Sequence, residues 1–211
     1  MEPITLALLA LGGLTVLGRG KSSSTRAGGD VFKGDQESAR QYIIQVGDYI
    51  QNRYGAMPGL TNFLLAVAYW ESRFKSNAQA GTSRNSARGL TQLRADSAFR
   101  SSNNLVHLRN QPNLLLHPTW NLILAADYAA RAAERAADQG RQIDWLAVRR
   151  WWRLPSLLLD FDESKSSSSS VREHLEESLS KVGVSPDFMY ETVHRGGWPG
   201  AILVLKDFGL M

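Results

Sequence analysis

A glutamate, Glu71, interrupts an apolar stripe. Val67 lies four residues before it, Leu64 seven and Leu60 eleven, and Phe74 lies three after it. These separations place side chains on one face of an α-helix, so the carboxylate is turned toward a core. A charged carboxylate is costly to bury, and such a residue must be paired, neutralised or put to use. Arg73, Lys75, Arg84 and Arg88 are close enough in sequence to pair with it. The segment beyond the helix offers a second reading. A loop rich in Ser, Asn, Gly and Arg leads into "SARGLTQL", a glycine turn that opens another helix. Folded back, that loop sets hydrogen-bonding groups opposite an apolar wall. In a cleft of that kind desolvation favours the neutral form of a carboxylic acid, the form a general acid for glycosidic cleavage needs.

The elements that must position Glu71 are helical. "ESARQYIIQVGDYIQNRYG" sets Tyr42, Ile43, Val46, Tyr49 and Ile50 on one stripe and stops at Gly55. "PGLTNFLLAVAYWESRF" carries Glu71 and opens on Pro58, which a first turn tolerates. "HPTWNLILAADYAARAAERAADQG" starts with Pro118 and stops at Gly140, and its alanine- and arginine-rich second half reads as an exposed face with charge pairs. "DWLAVRRWWRL" is a shorter helix that Pro155 ends. No stretch of two-residue alternation rivals these, so the fold class is mainly α.

Two motifs and a downstream segment, in order, resemble a known family. Glu71-Ser72 at a helix end, then Ala87-Arg88-Gly89-Leu90-Thr91-Gln92-Leu93, then His117-Pro118-Thr119-Trp120-Asn121-Leu122 are similar to the Glu-Ser, Gly-Leu-Met-Gln and Asp-Pro-x-x-Asn-Ile motifs of the lysozyme-like lytic transglycosylases. The resemblance covers about residues 58 to 155. It implies a lysozyme-like helical domain that cleaves the β-1,4 bond between N-acetylmuramic acid and N-acetylglucosamine in peptidoglycan. Glu71 would be general acid and base, and the products would be 1,6-anhydromuramyl sugars. The resemblance further implies that Ser72, Gly89, Leu90, Thr91, Gln92 and Asn121 bind or hold the glycan strand. No cofactor and no metal are required. Thr91 stands where the family has methionine. The family's third motif, Ala-Tyr-Asn, is missing: in that register stand Arg150-Trp151-Trp152, with Trp151 in place of a tyrosine whose hydroxyl meets the glutamate. Tyr69, Tyr128 or Tyr190 would have to supply a hydroxyl instead. Asp96 is the candidate base if water is the nucleophile.

"RRWWRLP" sets Arg149, Arg150 and Arg153 around Trp151 and Trp152. The tryptophans suit sugar stacking, with the arginines meeting peptide-stem carboxylates. Single-stranded nucleic acid is the weaker reading, and no nucleic-acid partner is expected. The histidines are scattered without ligand spacing, "DFDE" lacks the glycine and length of a calcium loop, and no phosphate-cradling glycine motif is present.

The 211 residues suffice for one domain with appendages. A hydrophobic fraction of 43%, a charged fraction of 21% and a net charge of +4 describe an ordinary, mildly basic globular chain suited to an anionic partner such as a cell wall. With no cysteine, thiolate chemistry and disulfides are excluded. The expected organisation is an apolar membrane-anchor or signal-like segment over residues 1–18, a linker over 19–36, the lysozyme-like domain over 37–163, a serine spacer over 164–170 and a C-terminal helical tail over 171–211. Ser170 and Glu173 have capping-box spacing, and the last residues, "GAILVLKDFGLM", read as a short strand or an apolar plug. The uncharged run of residues 4–17 is short against the roughly 17–25 residues of a membrane span. Arg19, Lys21 and Arg26 follow it, a charge order that disfavours export of the domain. A bacteriophage particle that meets the wall from outside would resolve that conflict. The expected setting is therefore the bacterial envelope or a virion, with a membrane and other virion proteins as partners. The alternatives are a non-catalytic wall-binding or virion structural protein, and a muramidase that transfers to water.

Overall fold

A computed structural model describes residues 30–99, 105–153 and 168–211. Residues 4–17, with the membrane contact expected of them, lie outside these. Among the described residues there are seven α-helices and no strand, and none of the helices is long and apolar enough to cross a membrane.

Helix α1, Gln36–Tyr54, is started by Asp35, whose side chain accepts from the backbone of Glu37 and Ser38, and is ended by Gly55 in the left-handed conformation. Helix α2, Leu60–Ser72, begins two residues after Pro58. The proline lies outside because Gly59, at φ 86°, turns the chain. A side chain there would collide with Phe188, since its Cβ would stand 2.5 Å from that ring. A short helix α3, Ala95–Phe99, and two 3-10 turns, Val106–Asn110 and Pro112–Leu116, lead to helix α4, Pro118–Asp138.

Helix α4 is the central element. The alanine-rich second half that reads as exposed is divided: Ala129, Ala130, Ala132, Ala133 and Ala136 are buried, while Glu134, Arg135, Ala137 and Asp138 are exposed. Small side chains let neighbouring helices approach closely. Its charge is handled locally, with Arg131 Nε donating to Asp127 at 3.0 Å. Helices α1, α2, α3 and the next helix, α5 (Trp145–Arg153), all pack on α4.

The C-terminal part is packed into the same core. Helix α6, Ser168–Val182, lies along α2 and α5, with Val171, Leu175, Leu179 and Val182 buried. It starts before Ser170, so Ser170 and Glu173 are not a capping box and the end of the serine run is helical. Serine disfavours a helix only mildly, and the stripe beginning at Val171 outweighs it. His174 of α6 stacks on Trp70 of α2, with ring centroids 4.0 Å apart. The 3-10 turn Pro186–Tyr190 sets Phe188 against Trp145. The final segment forms helix α7, Ala201–Asp207, which packs on α4. Its buried residues Ala201, Val204 and Leu205 follow a helical period, so the strand reading fails.

Candidate active site

Glu71 occupies the last turn of α2 and its side chain is 22% exposed. The helix stops there because Arg73 and Phe74 both take positive φ, 51° and 63°. Without a glycine that conformation is unfavourable, so the surroundings must hold it. Phe74 is buried. Ser72 Oγ donates back to the Ala68 carbonyl at 3.0 Å. Just beyond, Asp30 accepts from the backbone and hydroxyl of Ser76 at 3.2 and 2.8 Å, and from the backbone of Gly34 at 2.9 Å and Phe32 at 3.3 Å. The turn after Glu71 is thereby tied to the first described residue.

The loop that follows in sequence is built on Arg88, which is 3% exposed. Its guanidinium donates to the carbonyls of Ser83, Arg84 and Ser86 at 2.9–3.0 Å, folding residues 83–88 around itself. Gly89 comes next at φ 76°, where a Cβ would stand 2.1 Å from the Leu115 carbonyl and 2.5 Å from Asn121 Nδ2. Only glycine fits there.

Asn121, fully buried, ties the loop to α4. Its Oδ1 accepts from the Thr91 backbone at 2.9 Å and hydroxyl at 2.8 Å, and its Nδ2 donates to the Arg88 and Leu115 carbonyls, both at 3.0 Å. Two donors and two lone pairs are thus used within the protein. Leu90 and Thr91 are also fully buried. Gln92, at φ 50°, is half-buried, and its amide donates to the Ala78 and Gly89 carbonyls at 2.9 Å each.

Helix α5 joins the two halves. Trp152 Nε1 donates to the Thr91 carbonyl at 3.1 Å, and its ring lies edge-on to Phe63 and Tyr128. With Gln92, Leu93, Ser97 and Tyr128 it lines a small cleft. One turn earlier, Arg149 donates from Nη2 to Glu71 Oε1 at 2.5 Å. Arg149 is 2% exposed. Among the described residues it is the only hydrogen-bond partner of the Glu71 carboxylate.

Glu71 is therefore held in a charge-assisted pair and does not stand alone among apolar groups. Its partner is none of Arg73, Lys75, Arg84 or Arg88, but a residue 78 positions away. The tyrosines do not fill the missing hydroxyl position. Tyr128 donates to the Trp151 carbonyl at 2.9 Å, and burial pushes its hydroxyl up to about 12. Tyr69 lies against Phe74 and the Arg73 guanidinium, and Tyr190 is exposed. Trp151 is buried, leaving Trp152 as the tryptophan at the cleft. Asp96 donates from its backbone N–H to Asn85 Oδ1 at 3.2 Å, and among the described residues it forms no hydrogen bond with Glu71. The signal that would have singled out Arg149 is the one that singled out Glu71. Trp145, Val148 and Trp152 mark an apolar stripe, and Arg149 stands on it as a charge.

A family model of the transglycosylase SLT domain matches residues 48–152, about half of the chain. The chain is a lysozyme-like lytic transglycosylase. The matched region runs from the second half of α1 to Trp152, so it contains Glu71, the Gly89 loop, Asn121 and Arg149. Peptidoglycan is the substrate of this transglycosylase. No curated protein and no solved structure matches it significantly.

Proposed function

We propose that the transglycosylase cleaves the bond between N-acetylmuramic acid and N-acetylglucosamine with Glu71 as both acid and base. Glu71 gives its proton to the bridging oxygen as the C1–O bond breaks, and the substrate's own acetamide oxygen closes on C1. The Glu71 carboxylate then takes the proton of the C6 hydroxyl, whose oxygen attacks C1 and releases the acetamide. The product is a 1,6-anhydro ring, and no water is consumed. One carboxylate serves both proton transfers, so the second acid of a two-carboxylate glycosidase is not needed.

The observation that carries this reading is the placement of Glu71. It is the partly exposed carboxylate at the end of a buried helix, paired with a buried guanidinium on the same short helix whose Trp152 bonds the Thr91 carbonyl. On the same reading Gln92, Tyr128 and Trp152 meet the sugars, while Ser72, Gly89, Leu90, Thr91, Asn121 and Trp151 hold the cleft in shape. The apolar run of residues 4–17 and the basic residues after it support an envelope or virion setting, with the protein meeting the wall from outside the cell.

A peptidoglycan digest by residues 30–211, run beside Glu71→Gln and read by mass spectrometry, tests the chemistry. The expected result is anhydro-muropeptides from the parent and none from the variant. Reducing-end products from the parent would make the enzyme a hydrolase, and an active Glu71→Gln would remove Glu71 from the chemistry.

A further inference from the structure

We infer that Arg149 is the positioning residue for the catalytic acid, doing with a guanidinium what the family does with a tyrosine hydroxyl. The inference rests on the reading of Glu71 as acid and base. Four observations carry it. Arg149 is almost wholly buried while Glu71 is partly exposed, so the guanidinium lies behind the carboxylate and leaves its open side to the substrate. The contact is short, 2.5 Å, and engages Oε1, while Oε2 makes no hydrogen bond to any described residue. Trp145, fully buried, and Val148 fix the helix that bears the arginine. Trp152, one turn on, bonds the Thr91 carbonyl, so a single helix sets both the acid and the Thr91 segment.

The chemical consequence is directional. A fixed Oε1 orients Oε2 toward the bridging oxygen of the glycan. When the proton has left Glu71, the guanidinium stabilises the carboxylate that remains. That interaction strengthens during the cleavage step, in which Glu71 loses its proton, so it acts on kcat more than on substrate binding.

The test is the kinetics of the full chain on soluble, uncrosslinked glycan strands, with Arg149→Ala, Arg149→Lys and Glu71→Gln compared at matched folding by circular dichroism. For Arg149→Ala, kcat should fall about 100- to 1000-fold, the scale of losing one preorganised donor, with KM nearly unchanged. Added guanidinium ion should restore part of kcat in that variant and none in Glu71→Gln. Should the alanine variant fail to fold, Arg149→Lys decides the matter. An ammonium cannot hold Oε1 at the same place, and kcat should fall about tenfold at the parental KM. Parental kcat in either folded variant would overturn the proposal, as would a loss carried by KM or a loss without guanidinium rescue in folded Arg149→Ala. An active Glu71→Gln would instead overturn the reading of Glu71 on which it rests.

Discussion

Asn121 gives up all of its hydrogen-bonding capacity inside the protein, to Thr91, Arg88 and Leu115. Removing the amide strands several buried partners at once, and each costs more unpaired than it contributed when paired. Asn121→Ala should lower stability by about 2–4 kcal/mol in urea denaturation. Activity should fall with it, because the Thr91 segment loses its tie to α4. The residue was legible in sequence as part of a motif, yet its burial was not. The motif pattern preserves the residue type that builds the loop as readily as the type that touches a sugar. Glu71 was legible because a charge on an apolar stripe needs an explanation. Its partner was not, because pairing two stripes 78 residues apart requires knowing which helices face each other. Asp30 carried no motif at all, and only the fold reveals what its carboxyl holds.

At the scale of elements, the end of α2 depends on that carboxyl. Burial pushes the Asp30 carboxyl up, but the hydrogen bonds from Ser76, Gly34 and Phe32 together outweigh it and leave the group below its ordinary value. A carboxyl lowered in the folded state contributes stability that is fully present above the unfolded value near 3.8 and is lost as pH falls through the folded one. Asp30→Asn, which cannot accept on both atoms, should therefore be less stable than the parent at pH 7. The gap should narrow as both are titrated below pH 3.8, which paired denaturation curves would measure. The helices themselves were legible from period, capping residues and terminal glycines. The errors came where tertiary packing prevailed over local signals. Gly59 moved the start of α2, the buried stripe from Val171 drew serines into α6, and the packing around α4 enclosed an alanine face that charge alone would have left in water.

In the whole molecule the last forty residues close the domain. Trp198 is buried and donates from Nε1 to Asp127 Oδ1 at 3.0 Å. Arg195 pairs with Glu134 at 3.1 Å, Phe188 covers Trp145, and Tyr54 donates to Asp207 at 2.5 Å. Trp198→Ala should cost about 3–5 kcal/mol by leaving a cavity against α4. Trp198→Phe removes chiefly one hydrogen bond and should cost about 1 kcal/mol. Thermal denaturation of the two separates packing from hydrogen bonding.

The tie between Asp30 and Ser76 also has a mechanical meaning. Ser76 lies five residues past Glu71, so Asp30 is anchored close to that carboxylate along the chain. Tension applied at Asp30 would load its hydrogen bonds to Ser76 before it reaches any described helix, and the turn that follows Glu71 would feel it first.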